Sequence, residues 1–382
     1  MPVLRFRPRI LADDLPAGRY AQTALVDLWQ TGRPVYITGA RGGSLFGWWR
    51  EVDGTIAHQI LGEDSPSDVA LCVLDVDADG WPDLVTGGAW YRNPGQPGQL
   101  FERHAFDPDL GSVHDLRVGD IDGDGRDEVV CLSDRHDLRW YSIPEDPTHP
   151  WPHTRIGDPV HAGAALGDLD GDGHLDVVRT DVWFRNVRGD GTEWEEIPIG
   201  PSTPPPPDMQ ERWAFDATRA VVRDMNGDGV PDIVFTDAEI PGGAVWWMEN
   251  VNGDGSTWCR HDIYKHPAGS PRRGPWHSLV VADLCGNGFP DVVSCEMEHI
   301  RGDAAPRWWL WENVDGSGTQ WREHCLLDAN LGGHELVAGD FFGNGRIDLI
   351  AKPWTPRPDN LLGGRMFVLA LENMGGVKEL KG

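Results

Sequence analysis

The chain has 382 residues, of which 61 are acidic and 33 basic, so its formal net charge is −28 at pH 7. This charge argues against binding nucleic acid or an anionic membrane surface through a basic face. Hydrophobic residues make up 40% of the chain, with 19 Trp, 48 Gly and 30 Pro. That composition predicts a large core built from many short strands joined by tight turns.

The N-terminal residues 1–11 alternate Arg with apolar residues and contain no apolar run of the kind found in a secretory signal. We therefore expect a cytoplasmic protein with no membrane insertion. No Cys-x-x-Cys spacing occurs, so we expect the cysteines to be mostly reduced and buried. They are Cys72, Cys131, Cys259, Cys285, Cys295 and Cys325.

An acidic repeat runs through the chain. A degenerate copy begins at Asp27 (DLWQTGRPVYI), and six copies that align without a gap follow. They begin at Asp75 (DVDADGWPDLV), Asp120 (DIDGDGRDEVV), Asp168 (DLDGDGHLDVV), Asp224 (DMNGDGVPDIV), Asp283 (DLCGNGFPDVV) and Asp340 (DFFGNGRIDLI). Successive copies start 45 to 59 residues apart, close to the length of one four-stranded propeller blade. The sequence therefore predicts an all-β fold, a seven-bladed β-propeller forming a single domain over residues 1–382.

Each repeat predicts an apolar strand, the acidic loop, a second strand, an aromatic strand ending in Asn, and a fourth strand that opens with an aromatic residue. The seventh blade lacks a fourth strand of its own, since the chain ends soon after LALEN (369–373). The segment FRPRILAD (6–13) matches the fourth strand WREHCLLD (321–328). We therefore predict that residues 3–13 supply the outer strand of blade 7 and close the ring.

Four of the acidic loops carry carboxylate or amide oxygens at positions 1, 3, 5 and 9 around a glycine, the hard oxygen donors that calcium requires. The predicted metal ligands are Asp75, Asp77, Asp79, Asp83, Asp120, Asp122, Asp124, Glu128, Asp168, Asp170, Asp172, Asp176, Asp224, Asn226, Asp228 and Asp232. Two other loops have Cys285 and Phe342 at position 3, and we expect hydrogen bonds alone to hold those turns. The alternative for all the loops is an Asx-rich turn without an ion.

These repeats resemble those of the FG-GAP and VCBS propeller families, which also occur in integrin alpha heads. The resemblance extends over essentially the whole chain and implies a propeller with structural calcium. It implies little about activity, because this fold carries adhesion modules, lectins and lyases.

Histidines recur where the first strand of a blade begins. His114, His277 and His334 stand six residues before the first Asp of their loops, His161 stands seven before Asp168, and Arg219 stands five before Asp224. Ring closure brings these positions to one end of the central channel, so a shared site is predicted there. A second set (His58, His104, His261 and His324) recurs on the fourth strands, and we interpret it as structural.

The loops between second and third strands reach the same end of the channel. They carry Asp134, His136, Asp181, Glu239, Glu296, Glu298, His299, Lys352 and Trp354. Imidazole beside carboxylate is the ligand mix of zinc or a similar divalent metal, so a second metal site is a hypothesis for this face. Residues 198–217, 264–276, 296–307 and 353–365 form longer connections that can wall a pocket. Trp213, Trp276 and Trp354 are candidate platforms for stacking sugar rings.

The blade pattern of histidine followed by GD-x-DGDG, together with GGAWYRN, GHELVAGD and AKPW, resembles the propeller domain of aldos-2-ulose (anhydrofructose) dehydratases. The resemblance implies a carbon–oxygen lyase that eliminates water from a keto sugar with the help of a metal. Its predicted catalytic residues are His114, His161, His277, His334 and Arg219. Its predicted substrate-binding residues are His136, Asp181, Glu239, Glu296, Glu298, Trp276, Lys352 and Trp354. The competing hypothesis is a non-catalytic propeller that binds carbohydrate or protein through the same face.

Overall fold

The computed structural model describes residues 3–67, 69–200, 217–298 and 305–377. These residues form 28 β-strands. They contain no helix, and hence none long and apolar enough to cross a membrane. The strands make seven antiparallel sheets of four strands each, which are the seven predicted blades.

Six blades use four consecutive strands, and the seventh combines the last three strands of the chain with the first. Blade 1 comprises β2 (Ala24–Val26), β3 (Val35–Gly39), β4 (Leu45–Arg50) and β5 (Ile56–Gly62). Blade 2 comprises β6 (Cys72–Leu74), β7 (Asp83–Thr86), β8 (Ala89–Arg92) and β9 (Glu102–Ala105), and blade 3 comprises β10 (Val113–Gly119), β11 (Glu128–Ser133), β12 (Leu138–Tyr141) and β13 (His153–Gly157). Blade 4 comprises β14 (Ala164–Gly167), β15 (Asp176–Arg179), β16 (Val182–Asn186) and β17 (Trp194–Pro198). Blade 5 comprises β18 (Thr218–Arg223), β19 (Asp232–Asp237), β20 (Val245–Asn250) and β21 (Trp258–Tyr264); blade 6, β22 (Val280–Ala282), β23 (Asp291–Cys295), β24 (Trp308–Asn313) and β25 (Trp321–Leu327); and blade 7, β26 (Glu335–Gly339), β27 (Asp348–Lys352), β28 (Val368–Val377) and β1 (Val3–Ala12).

The N-terminal strand closes the ring as predicted. β1 pairs antiparallel with β28, with Phe6 opposite Asn373 and Ile10 opposite Leu369. The innermost strands β2, β6, β10, β14, β18, β22 and β26 each contact the innermost strands of both neighbouring blades, including β26 with β2. The first strands of all seven blades therefore surround one central channel.

The acidic repeat forms the turn between the first and second strands. In blade 3, the Asp120 carboxylate accepts hydrogen bonds from the backbone N–H of Gly123 (2.8 Å) and of Gly125 (3.0 Å). Gly125 has φ +89°, a conformation that L side chains rarely adopt, which explains the glycine at this position. A carboxylate within the turn thus satisfies backbone donors that the tight bend leaves without a strand partner.

The Asn that ends the third strand joins neighbouring blades. In blade 4, the backbone N–H of Asn186 donates to Asp176 (2.9 Å), and its side-chain Nδ2 donates to the carbonyl of Ile121 in blade 3 (2.8 Å). Asn93, Asn250 and Asn313 make the equivalent bond to the preceding blade. The recurring Asn is therefore a structural link between sheets.

Tryptophan side chains fill the space between blades. Trp247 is 1% exposed, and its indole N–H donates to the carbonyl of Gly318 in blade 6. Trp140 makes the corresponding bond to Gly191 in blade 4. Burying an indole of this size stabilises the fold by at least about 2 kcal/mol, and the N–H must find an acceptor when buried.

All six cysteines are free thiols, but the expectation that they are mostly buried holds for only half of them. Cys72, Cys131 and Cys295 lie on inner strands and are buried, and Cys285 is partly buried. Cys259 and Cys325 are exposed because they lie on β21 and β25, the outermost strands of blades 5 and 6.

Candidate functional site

The four channel histidines lie together at one end of the channel. His114 is the second residue of β10, His334 immediately precedes β26, and His161 and His277 lie three residues before β14 and β22. The ring of His114 is 4.5 Å from that of His161 and 5.4 Å from that of His277, and His277 stacks on His334 at 3.8 Å, between ring centroids. Residues from blades 3, 4, 6 and 7 thus form one cluster of imidazoles.

The cluster faces a cavity of about 330 Å³. Asp134, Glu239, Trp354, Arg19 and Arg41 line this cavity together with the four histidines. The ring centroids of Trp354 and His334 are 6.0 Å apart, and the guanidinium of Arg19 lies 4.8 Å from the centre of the Trp354 ring. The cavity therefore combines imidazoles, carboxylates, guanidinium groups and an aromatic face, and its volume suits a small molecule.

His277 and Glu239 form the central contact of the site. Nδ1 of His277 lies 3.2 Å from the carbonyl oxygen of His334, and only an N–H can donate to a carbonyl, so Nδ1 carries the proton. In a neutral ring Nε2 is then a lone-pair nitrogen, and it lies 3.2 Å from Oε1 of Glu239. A lone pair and a carboxylate oxygen that face each other in this way need a proton or a cation between them.

His161 approaches the same carboxylate from another blade. Its Nε2 lies 3.9 Å from Oε1 of Glu239, and its Nδ1 lies 3.3 Å from Oδ2 of Asp134. A carboxylate bonded to one imidazole nitrogen orients the ring and directs the other nitrogen into the cavity. His161 is the more accessible ring, with its side chain 22% exposed against 0% for His277.

Burial and neighbouring charges shift the pKa values of His114 and Glu239. Burial lowers the pKa of His114 to about 4, so this imidazole is neutral at pH 7. Burial alone would raise the pKa of Glu239, but His277 and His161 outweigh it and hold that pKa below its usual value. A neutral imidazole beside an ionised carboxylate is the state in which both bind a metal ion.

A network of buried charges lies in the channel beneath the histidines, around a second cavity of about 160 Å³. Arg219 is 3.1 Å from Asp115 and 2.9 Å from Glu335. Burial by itself would raise the pKa of Asp115, but Arg219 and Arg117 hold it well below its ordinary value. Glu335 Oε1 is also 3.8 Å from Nδ1 of His277, so the network supports the histidine cluster from below.

Three acidic loops at the opposite end of the first strands bring carboxylate oxygens within 4.8 Å of one another. The groups are Asp75, Asp77 and Asp83; Asp120, Asp122 and Glu128; and Asp168, Asp170 and Asp176. Burial raises the pKa of Asp83, Glu128 and Asp176 to about 7. These clusters could hold a metal ion, whose charge would favour the ionised carboxylates.

Two of these loops already contain a cation from the chain. Nε of Arg92 is 2.6 Å from Asp77, and Nε of Arg185 is 2.7 Å from Asp170. Ser142 occupies the corresponding strand position beside the Asp120 loop. Within the described parts of the chain, no Lys or Arg forms an ion pair with Asp122, so this loop keeps the least compensated charge.

A family of FG-GAP-like repeats matches residues 75–131, 120–178 and 224–294. The protein is a β-propeller with FG-GAP-like repeats. No curated protein matches the chain in sequence. Among solved structures, the FG-GAP-like propeller is similar to BBS1N crystallised in complex with ARL6DN, at 11% identity and a TM-score of 0.55, covering 99% of this chain and 98% of that one.

The FG-GAP-like propeller is also similar to an ancestral GH74 enzyme, at 12% identity and a TM-score of 0.59. That alignment covers 99% of this chain and 51% of the GH74 chain, so the propeller spans about half the length of that enzyme. Structural similarity at 11 to 12% sequence identity shows a shared fold and does not show a shared function. It does not test the resemblance to aldos-2-ulose dehydratases, which stays a hypothesis.

Several residues predicted to line the site of the FG-GAP-like propeller lie elsewhere. Trp276 is 0% exposed and donates its indole N–H to the carbonyl of Gly243, so it is a core residue and offers no face to a sugar. Arg219 lies in the lower cavity between Asp115 and Glu335 and does not line the 330 Å³ cavity, because the two carboxylates hold its guanidinium within the channel.

The remaining predicted substrate-binding residues lie outside the cavity wall. Glu296 accepts a hydrogen bond from the indole of Trp309, and Lys352 is buried and donates to the carbonyl of Ala21. Glu298 accepts the backbone N–H groups of Trp354 (2.7 Å) and Thr355 (3.0 Å), and so positions the loop that carries Trp354. His136 and Asp181 are exposed on loops and do not line the cavity, and Trp213 and His299 lie outside the described residues.

The outer-strand histidines do not join the cavity. His58, His104 and His261 stack on Trp48, Trp90 and Trp247, and His324 bonds to Glu312. Sequence reasoning missed Arg19, Arg41, Asp115 and Glu335. Asp115 and Glu335 directly follow His114 and His334, so the dipeptides His-Asp and His-Glu at the start of an inner strand were a usable signal. Arg19 lies in the connection that leads into β2, and Arg41 lies in the loop between β3 and β4 of blade 1.

Proposed function

We propose that the protein is a carbohydrate-active lyase that eliminates water from a keto sugar in the 330 Å³ cavity, with a divalent metal ion held by the channel histidines. The observation that supports this most is the contact between His277 and Glu239, whose Nε2 and Oε1 atoms lie 3.2 Å apart while Nδ1 of His277 faces the carbonyl of His334. His114, which burial keeps neutral, lies beside them and supplies a further imidazole.

The donor set fits zinc or a similar divalent metal. Nε2 of His277, Oε1 of Glu239 and an imidazole nitrogen of His114 are ligand atoms of the type that zinc binds. The carbonyl of His334 fixes the tautomer of His277, which is the usual role of a second partner on a metal-binding histidine. Such an ion, when bound, polarises a carbonyl oxygen and makes the neighbouring C–H more acidic.

His161 is suited to proton transfer, because Asp134 orients its ring and its Nε2 points into the cavity. In the proposed reaction, Nε2 of His161 removes the proton on the carbon next to the ketone. The C–O bond at the following carbon breaks, and the same proton returns to the departing hydroxyl as water. Arg19 and Arg41 can bind sugar oxygens at the mouth of the cavity, and Trp354 offers a face for the ring.

The proposal is tested by incubating the zinc-loaded protein with 2-keto and 3-keto sugars while following the ultraviolet absorbance of a conjugated enone. The wild type should convert at least one keto sugar, and His161→Asn should lose roughly 10²- to 10⁴-fold in rate. His104→Gln, on an outer strand, is the matched control and should keep its activity. If no keto sugar reacts and the double variant His277→Ala/His334→Ala binds carbohydrate as the wild type does, the propeller is a non-catalytic binding module.

We further propose that calcium binds the acidic loops and stabilises the fold without entering the chemistry. Three loops bring carboxylate oxygens within 4.8 Å of one another, and carboxylate oxygens are the donors that a hard cation such as calcium prefers. The Asp120 loop should bind most tightly, because the guanidinium groups of Arg92 and Arg185 partly neutralise the other two. The loop of Asp224 has Asn226 where the other three loops have an aspartate, and Nδ2 of Asn226 donates a hydrogen bond to Asp228.

A further inference from the structure

Blade 5 carries a cluster of metal-binding side chains on its outer strands, far along the sheet from the channel. Glu249 on β20 pairs with Cys259 on β21, and Trp247 pairs with His261. Side chains alternate between the two faces of a sheet, so Glu249, Cys259 and His261 share one face. A carboxylate oxygen, the thiol sulfur and an imidazole nitrogen of these residues all lie within 4.8 Å of one another.

The surroundings hold two of these side chains in place. The imidazole of His261 stacks on the indole of Trp247, with ring centroids 4.4 Å apart and an angle of 15° between the planes. Its Nε2 lies 2.7 Å from Oε2 of Glu249. The side chains of His261 and Glu249 are 26% and 28% exposed, and Cys259 is exposed, so the cluster is accessible to an ion from solvent.

Blade 6 provides an internal comparison. His324 and Glu312 form the same contact there, with Nε2 2.7 Å from Oε2. The residue opposite Glu312 is Arg322, whose guanidinium lies 3.1 Å from the carboxylate. In blade 5 the corresponding position is Cys259, so the cation of blade 6 is replaced by a soft sulfur donor directed at the same His–Glu pair.

We propose that Glu249, Cys259 and His261 form a zinc site on the outer edge of blade 5, separate from the channel. Thiolate, imidazole and carboxylate are the three ligand types that zinc combines, and a water completes the tetrahedron. Zinc–ligand bonds of about 2.0 to 2.3 Å place tetrahedral donor atoms about 3.3 to 3.7 Å apart, within reach of side chains that now lie inside 4.8 Å. Binding releases the thiol proton of Cys259, while His261 binds as the neutral imidazole through Nε2 and keeps its ring proton on Nδ1.

The ion would have three protein ligands and an open fourth position facing solvent. That coordination differs from a closed structural zinc site, which uses four protein ligands. The site therefore suits an ion that also contacts a small molecule or a side chain from another protein. This proposal does not depend on the lyase proposal, because no residue is shared between the two sites.

The test uses cobalt as a spectroscopic substitute and the exposed thiols as reporters. Cobalt bound by Cys259 should give a thiolate charge-transfer band in the near ultraviolet, which the channel histidines cannot produce. The band should be lost in Cys259→Ser and kept in Cys325→Ser. Cys325 is the matched control because it is also exposed on an outermost strand but is opposite Trp309, on the other face from His324.

Alkylation by iodoacetamide, read by peptide mass spectrometry, gives a second readout. Zinc should slow the modification of Cys259 by at least about tenfold and leave Cys325 nearly unchanged, since a metal-bound thiolate is a poor nucleophile. Glu249→Gln and His261→Gln should each abolish the protection without changing the fold, as judged by an unchanged melting temperature. Equal modification of the two thiols in zinc, with no thiolate band in cobalt, would overturn the proposal.

Discussion

The imidazole of His277 and the carboxylate of Glu239 face each other at the channel mouth, with Nε2 3.2 Å from Oε1, although they come from different blades. The carbonyl oxygen of His334 accepts a hydrogen bond from Nδ1–H of His277, so Nε2 of a neutral His277 ring carries a lone pair. This contact is the reason for proposing a metal ion in the channel, and Arg219 lies too deep to serve in its place.

Replacing Glu239 by Gln should weaken zinc binding in the channel by at least about 10- to 100-fold, because it removes the carboxylate shared by His277 and His161. The melting temperature of the metal-free protein should change little, since the variant also removes a buried charge. Isothermal titration with zinc measures the affinity. Both proteins should carry Cys259→Ser, so that the outer cluster of blade 5 does not contribute to the measured zinc binding. An unchanged zinc affinity on adding Glu239→Gln would contradict the role of Glu239 as a ligand.

Calcium removal should lower the melting temperature of the wild type, and the Asp120 loop should account for most of that change. Asp122→Asn removes a charge that no arginine compensates, whereas Asp77→Asn removes one already paired with Arg92. Differential scanning calorimetry with and without a calcium chelator should therefore show a smaller calcium effect in Asp122→Asn than in Asp77→Asn. The opposite order would mean that the arginines do not determine which loop binds the ion.

Lys352 should make stability depend on pH near neutrality. Burial lowers its pKa to about 7 in the folded protein, against an ordinary value near 10.4 in the unfolded chain. Above pH 7 the unfolded chain therefore binds more protons, and the free energy of unfolding should rise with pH by up to about 1.4 kcal/mol per unit between pH 7 and about 8.5. Urea unfolding of the wild type and Lys352→Met at several pH values isolates this contribution, which should vanish in the variant; equal slopes would contradict the assignment.

Deleting residues 1–13 should lower the melting temperature by at least about 10 °C, because blade 7 then loses its outermost strand and β28 becomes an unpaired edge. Arg9→Gln on the same strand is the control. It removes only the surface ion pair with Glu372, at 3.0 Å, and should cost less than about 1 kcal/mol. A truncated protein that melts with the wild type would refute closure by β1.

The repeats made the architecture predictable, because each blade needs the same turn. The carboxylates of Asp120 and of its six counterparts accept hydrogen bonds from backbone N–H groups in that turn, so the number of repeats gives the number of blades. The match of residues 6–13 to a fourth strand shows which segment completes blade 7. The same periodicity placed His114, His161, His277 and His334 at a common end of the channel.

Other features of the site depend on contacts that cannot be predicted from the repeat period of the blades. A tryptophan on the loops at the histidine end of the channel can line the cavity, as Trp354 does, or lie in the protein core, as Trp276 does. The sequence around the two residues does not distinguish these placements. The ion pair of Arg219 with Glu335 joins blades 5 and 7, which are more than 100 residues apart in the chain. Arg19 and Arg41 lie in the connection before β2 and in the loop between β3 and β4, outside the acidic repeat, so the alignment of the acidic repeats did not identify them.

The most direct measurement of the channel site is anomalous diffraction at the zinc absorption edge from crystals of the zinc-loaded protein. A metal ion in the channel should give a peak between Nε2 of His277 and Oε1 of Glu239, at about 2.0 to 2.2 Å from each. Anomalous density confined to the acidic loops and the outer cluster of blade 5, with the channel histidines bound only to one another and to water, would contradict it.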